Sequence, residues 1–556
     1  MKETEFNLLD EPWIRVMDAQ CRVRELSLTD VLLHAHEYQS LSGELPTQDV
    51  AVLRLLLAVL HTVFARMDMQ GNPHRLEDKD EAVEFWQELW ENGKLPEQPI
   101  RTYLEQWHER FWLFHPERPF AQVAELTYGT MPTAAKLNGE VSEGGNTIRL
   151  FSSYTGAEKE QLTYAQAARW LIHLNSVDDS AIKPSKEGKA ASATGKLESA
   201  GTGWFGKIGL TVLKGETLFQ TLLLNFVLDH TSEISVQQCP VWEREKITLD
   251  EAKEIPKIDN LAELYTIPSR KIKLIRAMDK VTGFYAIKGE FFSEEVGLIE
   301  PMTAGRKISK KNQADRLMPY MHQFGRQMWR DFSVLFSQTV DEGFKPQVVE
   351  WYNTLLGYEN LALMLPKFIC METVGINYDS KKCKITNIFS DSLSLHARIL
   401  LELGKAWRSD IILEIEKCES LAQATGYLAE NLYLAGGGNQ SDAQSSKEQL
   451  RKIRDAAKEQ LYYRLDMPFR TWLSSIDPDA DGEKSRNLLE QWQKTAQKIA
   501  IDYAQEQADH ASDTALIGHS IGRDGEKKRL YAAPKAMRIF RAAVSKIYKK
   551  FKEVNT

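Results

Sequence analysis

The chain has 556 residues, 43% of them hydrophobic and 27% charged, which suits a folded protein but is too much chain for one compact core. Two or more domains are expected. A net charge of −8 argues against a surface coated by nucleic acid, and the absence of an uninterrupted run of about 18 apolar residues argues against a membrane span.

In chain order, Phe6 to Val16 (FNLLDEPWIRV) reads as a first strand with a kink. Asp10-Glu11-Pro12 interrupts pairing, because proline has no N–H to donate, and Trp13-Ile14-Arg15-Val16 resumes the alternation. Val50 to Met67, with Leu53, Leu56, Leu57 and Leu60, reads as a helix, as does Leu218 to Leu228. Strands are expected at Lys207 to Leu213, Lys271 to Ile275 and Gly283 to Ile287. Residues 178 to 203 hold only Ile182 and Leu197 as large apolar side chains, among lysines, glycines and serines, and read as a loop. A second loop is expected at Thr303 to Asp315, which carries Arg306, Lys307, Lys310 and Lys311. Tyr378 to Lys384 is a polar turn between two apolar runs, the chemistry of a hairpin with a lysine-rich tip.

After about Ser390 the pattern becomes helical. Breaks at 436–442, 477–482 and 518–525 leave four segments, roughly 392 to 435, 443 to 475, 483 to 510 and 534 to 552. In the third, Leu489, Trp492, Ala496, Ile499 and Tyr503 lie on one stripe; in the fourth, Met537, Phe540, Val544, Ile547 and Phe551 do the same. Arg538, Arg541, Lys546, Lys549 and Lys550 are left to the other faces, in a stretch from Lys527 to Lys552 that has no acidic residue. The expected fold class is α+β: a large irregular mixed domain over 1–390, then an all-α four-helix bundle over 391–556.

Three patterns imitate enzyme or ion sites, and each lacks its context. Gly201-Thr202-Gly203-Trp204-Phe205-Gly206 matches GxGxxG, but a polar loop precedes it and a strand follows, the reverse of a dinucleotide fold. Gly518-His519-Ser520-Ile521-Gly522 matches GxSxG, yet no histidine follows His519, so a serine hydrolase using Ser520 is the weaker alternative and a helix-to-helix loop the expectation. Asp477-Pro478-Asp479-Ala480-Asp481-Gly482 copies half a calcium loop, but the closing position is Leu488, so an acidic turn is expected. His34, His36, His108 and His115 show no metal spacing, and five scattered cysteines read as reduced thiols. Neither a catalytic set nor a metal or other cofactor is expected. The acidic Met1-Lys2-Glu3-Thr4-Glu5 start lacks a signal-peptide stretch, so a cytoplasmic location is expected.

Several strings resemble, in order, the large subunit of the type I-E CRISPR surveillance complex, Cascade (the CasA family). They are FNLLDEPWIRV at 6–16, FWLFHPERPFAQ at 111–122, the GTGWFG loop with Leu218 to Asn225, LYTIPSRKIKL at 264–274, Met328-Trp329-Arg330-Asp331 and the helical tail. The resemblance implies a non-catalytic subunit that inspects double-stranded target DNA for a protospacer-adjacent motif and helps open the duplex for crRNA pairing. It also implies seating on the crRNA-bearing Cascade backbone and small subunits, and recruitment of a helicase-nuclease. Guide pairing supplies sequence specificity, so such a protein needs only backbone contacts and short-motif readout from the minor groove. Carried over residue by residue, the resemblance implies DNA contact at Leu150, Phe151 and Ser152, at Gly201 and Gly203 of the glycine loop, and at Lys288. It places the duplex wedge at Asp379, Ser380, Lys381 and Lys382, where some members have glutamine. A scaffold that binds only proteins is a further alternative.

Overall fold

In a computed structural model that describes all of the chain but residues 1–2, 130–131, 139–154, 181–200, 229–236, 250–253, 256–257, 293–298, 309–315, 337–342, 380–383, 439–443, 522–528 and 554–556, the opening residues form two strands rather than one kinked strand. Glu5–Asn7 pairs antiparallel with Trp112–Phe114, whereas Ile14–Asp18 lies between Val23–Leu26 and Tyr38–Leu41 in a separate sheet. Asp10-Glu11-Pro12 does more than kink a strand; it lets the chain change sheets. Leu8 and Trp13 are fully buried on either side of it, and the Trp13 indole closes the turn by donating to the Leu8 carbonyl at 2.8 Å.

The strings at 6–16, 111–122 and 264–274 interlock. Leu8 N–H donates to the Phe111 carbonyl at 2.9 Å, the Gln122 amide donates to the Leu113 carbonyl at 2.7 Å, and Leu274 N–H donates to the Gln122 side chain at 2.9 Å. The chain divides into two compact units, Met1–Arg326 with Val334–Ser392, and Gln327–Ser333 with Leu393–Thr556. These three strings build the core of the first.

That unit is irregular and mixed, with sheets of two or three strands. Its central helix, Pro46–Phe64, begins earlier than its leucines alone suggest, because Pro46 suits the first turn. By length and composition this helix is apolar enough to cross a membrane, a likeness hidden from a search for uninterrupted runs by Asp49 and Arg54; here 94% of its apolar window is buried inside the protein. The strand expected from Lys207 starts at Leu210, after a short 3-10 turn at Trp204–Lys207, and ends at Lys214. Arg270–Ala277 and Lys280–Lys288 form a hairpin with Arg270 opposite Lys288. The segment read as a loop from Thr303 contains a strand, Gly305–Ile308, paired with Arg316–Pro319 and Gly343–Phe344. A Cβ at Gly305 would overlap the Phe344 ring, so glycine there marks close packing rather than a loop. Phe368–Tyr378 and Ile385–His396 are neighbours in one sheet, a hairpin much longer than the apolar runs flanking the turn.

The second unit is mainly helical. Its long helices are Lys405–Ala435, Gln444–Ser474, Gly482–Asp509 and Ala533–Glu553. The first packs against the other three, the second on the third, and the third on the fourth. The first begins at Lys405 rather than near 392, because Ser392-Leu393-Ser394-Leu395 alternates with the two-residue period of a strand and extends Ile385–His396. Trp492, Ala496 and Tyr503 are buried on the third helix, and Met537, Phe540 and Val544 on the fourth; Arg538, Arg541, Lys546 and Lys549 are exposed. Met328–Asp331 also belongs here. Trp329 stacks on Phe469 with ring centroids 4.3 Å apart and donates to Asp466 at 2.9 Å, and Phe469 and Trp472 in turn pack on Trp492. The break at 518–525 is not a plain loop: His519–Ile521 and Arg529–Tyr531 pair as a short hairpin.

Candidate nucleic-acid interface

The helix Tyr164–Val177 starts with a capping box of Thr163 and Gln166 and stops at Asp178, which leaves the carbonyls of its last turn without helical partners. Two neighbouring elements take the carbonyls of Val177 and of the capping Asp178. Tyr378, at the base of the long hairpin, donates its hydroxyl to the Val177 carbonyl at 2.7 Å, and Gly203 N–H of the glycine loop donates to the Asp178 carbonyl at 2.8 Å.

Arg270 fastens the arrangement from the β-hairpin below. Its Nε meets the Asp178 carboxylate at 2.5 Å, and its Nη2 donates to the carbonyls of Gly201 at 2.6 Å and Asp179 at 3.0 Å. Both side chains of the Arg270–Asp178 pair are almost fully buried, at 1% and 2% exposure, so each helps to compensate the other's charge, with the carbonyls of Gly201, Asp179 and Ser269 around the guanidinium. Burial, and then the carboxylates of Asp178 and Asp179, raise the pKa of the Tyr378 phenol against the opposing charge of Arg270. The hydroxyl therefore stays a donor at any physiological pH. Lys136 reaches Asp179 at 3.7 Å, and the Asn138 amide donates to the Lys159 carbonyl at 3.1 Å, so the two ends flanking 139–154 are tied to each other and to this corner.

The two glycines differ in what they require. At Gly203 a Cβ would press on the backbone of Ser176 and Val177, 2.8 Å from the Val177 nitrogen, so glycine is demanded by packing inside the fold. Gly201 has φ +70 and open space around it. Of these two glycines, Gly201 is the one with open space beside its α-carbon. Beneath the loop, Arg54 stacks on Trp204 with its guanidinium 3.9 Å from the ring centroid and pairs with buried Glu300 at 2.5 Å.

Of the expected DNA-facing residues, Gly201, Gly203, Lys288 and Asp379 come together: Lys288 is the cross-strand neighbour of Arg270, and Asp379 N–H donates to the Lys384 carbonyl at 2.9 Å, closing the hairpin base. Leu150, Phe151, Ser152, Ser380, Lys381 and Lys382 lie outside the described residues. Sequence reasoning missed Arg270, Asp178 and Tyr378 as the residues that hold this corner together. The available signal was an arginine at the head of an otherwise core-bound strand and a tyrosine flanking a turn.

The other patterns resolve into structural roles. The GxGxxG glycines lead into a 3-10 turn and a strand, without the helix a dinucleotide needs. Ser520 sits mid-strand opposite Leu530, not at a strand-to-helix elbow. His396, Asp477 and Asp479 bring possible ligand atoms within 4.8 Å of one another, but each is engaged: His396 Nδ1 accepts the Arg398 N–H at 3.3 Å, Arg398 pairs with Asp479 at 2.7 Å, and Asp477 accepts the Asp479 N–H at 3.0 Å. Asp481 caps the helix Gly482–Asp509.

The pattern of one protein family, CRISPR-associated protein Cse1, matches residues 7–503. The chain belongs to the Cse1 family. It is 28% identical over 538 residues to the CRISPR-associated protein CasA/Cse1 of Thermus thermophilus, covering 94% of this chain and 99% of that one. Among solved structures it is similar to Cse1 of Thermobifida fusca, with TM-score 0.80, 28% identity and 98% of each chain covered. It also shares its fold with a chain of a CRISPR RNA-guided surveillance complex, with TM-score 0.67 at 17% identity over 98% of this chain and 99% of that one. The Cse1 fold therefore extends through both units described above.

Proposed function

We propose that this Cse1-family chain is the large, non-catalytic subunit of a type I-E CRISPR surveillance complex in the cytoplasm, and that it recognises the protospacer-adjacent motif in double-stranded DNA. Its first unit inspects the duplex, using Leu150, Phe151 and Ser152, the glycine loop at Gly201 and Gly203, Lys288, and the hairpin tip Asp379 to Lys382. Its second unit is a four-helix bundle that seats the chain on the crRNA-bearing backbone and small subunits. The assembled complex then recruits a helicase-nuclease.

The observation that carries this reading is the corner where the glycine loop, the Lys288 strand end and the hairpin base meet, held by Tyr378 and Arg270. Motif readout needs one rigid corner that offers bare backbone, a cation and a projecting wedge within reach of one stretch of duplex. A lysine-tipped hairpin contributes phosphate attraction and steric separation, and requires no chemistry of its own.

A gel-shift titration of the reconstituted complex, on targets with and without the motif, tests the reading. Lys381→Glu with Lys382→Glu, and separately Phe151→Ala, are expected to weaken binding to the motif-bearing target by about tenfold or more while assembly is preserved. Wild-type binding to both targets by both variants would refute the site assignment. A protein-only scaffold predicts that outcome, and a hydrolase predicts ester cleavage lost in Ser520→Ala.

A further inference from the structure

We propose that Tyr378 and the buried Arg270–Asp178 pair form one positioning node that locks the glycine loop and the hairpin base to the same helix end, so that the two elements move and read DNA as a unit. The inference rests on the DNA-inspection reading for its consequence, but not for its geometry.

The helix Tyr164–Val177 ends in two successive carbonyls whose partners come from two different elements. Val177 receives the Tyr378 hydroxyl from the hairpin at 2.7 Å, and Asp178 receives the Gly203 N–H from the loop at 2.8 Å. A displacement of either element must break its bond or rotate the peptide that carries the other. Arg270 removes the second choice. Its guanidinium is a rigid planar fork, and one fork holds the Asp178 side chain, the Asp179 carbonyl and the Gly201 carbonyl at once. The loop is also in direct contact with the hairpin: a Cβ at Gly206 would lie 3.0 Å from the Tyr378 ring. None of these three residues is among the expected DNA contacts. Their bonds run between chain segments, which makes them positioning residues.

Tyr378→Phe removes one hydroxyl and keeps the ring, so the fold is retained. Hydrogen–deuterium exchange on the full chain without DNA is the first test: amides at 201–209 and at 384–388 are both expected to exchange faster, by about threefold or more, while Pro46–Phe64 is unchanged. Arg270→Lys, which keeps the charge but not the fork, is expected to do the same. Acceleration confined to the hairpin, or none, overturns the node whatever the DNA result. The second test is the ratio of affinities for targets with and without the motif in the reconstituted complex. Tyr378→Phe is expected to lower it about tenfold, the scale of one hydrogen bond lost, and to add nothing to the loss caused by Lys381→Glu with Lys382→Glu. If the lysine reversals lower the ratio and Tyr378→Phe does not, the node is refuted. If exchange is coupled and neither variant alters the ratio, the node stands and the DNA-inspection reading falls.

Discussion

The aromatic seam of the second unit and the polar corner of the first are held together by different physics. In the second, long amphipathic helices meet through an aromatic core of Trp329, Phe469, Trp472 and Trp492, where stability comes from apolar area removed from water. In the first, the corner at Val177 to Asp179 is held by carbonyls, one guanidinium and one hydroxyl, with buried charge at its centre. Such a corner is stiff only while every polar group keeps its partner. Apolar packing tolerates imprecise placement, whereas the polar corner specifies where two loops stand, which suits an element that must present a fixed surface.

The largest effect separating the two is expected in the aromatic core. Trp329→Ala removes a fully buried indole and orphans its bond to Asp466, and should cost about 3–5 kcal/mol in chemical denaturation of the full chain. The corner should be nearly as sensitive to a change that removes no volume: Asp178→Asn leaves the buried guanidinium of Arg270 without its charge partner, at a cost of about 3 kcal/mol. Equal stability of Asp178→Asn and wild type would show that the pair is hydrated and the contrast between the units false.

Smaller effects sharpen the assignment within the loop. Gly203→Ala forces a methyl onto the backbone of Ser176 and Val177 and is expected to cost about 2–3 kcal/mol, whereas Gly201→Ala meets open space and pays only for its left-handed backbone, about 1 kcal/mol. The smallest effect depends on pH. Burial opposes charging of His108, but its bonds to Asp10 and Glu109 win and raise its pKa above the ordinary value near 6.5. A raised folded-state pKa adds stability that is complete below the ordinary value and lost as pH rises through the folded one. Asp10→Asn should therefore lower stability slightly at pH 5.5 and not at pH 9, by well under about 1 kcal/mol because the pair is solvent-screened, and the melting temperature measured at the two pH values checks this. An equal loss at both pH values would assign the effect to packing of the turn instead.

Legibility in the sequence follows the same division. The stripes through Trp492 and Met537 located the last two long helices to within a residue or two, because a 3.6-residue period repeated over many turns is hard to imitate. The first long helix was begun too early because the serine–leucine alternation at 392–395 is too short to stand out against helical surroundings. The opening motif signalled an interrupted strand but not that its halves join different sheets, since pairing partners at 112–114 and 23–41 are set by tertiary contacts. At the candidate site, glycines and lysines mark surface loops in composition. Arg270, Asp178 and Tyr378 come from segments up to 200 residues apart in sequence, and nothing in the local pattern of any one of them names the other two.

On the proposed function, motif reading belongs to the corner of the first unit and not to the basic fourth helix of the second. The most direct measurement compares reconstituted complexes carrying Lys381→Glu with Lys382→Glu against complexes carrying Arg538→Glu with Arg541→Glu, each titrated with targets that have and lack the motif. The hairpin reversals are expected to collapse the affinity ratio between the two targets, and the helix reversals to leave that ratio intact even where they lower both affinities together. A ratio preserved in the hairpin variant and lost in the helix variant would move motif reading from the corner to the fourth helix.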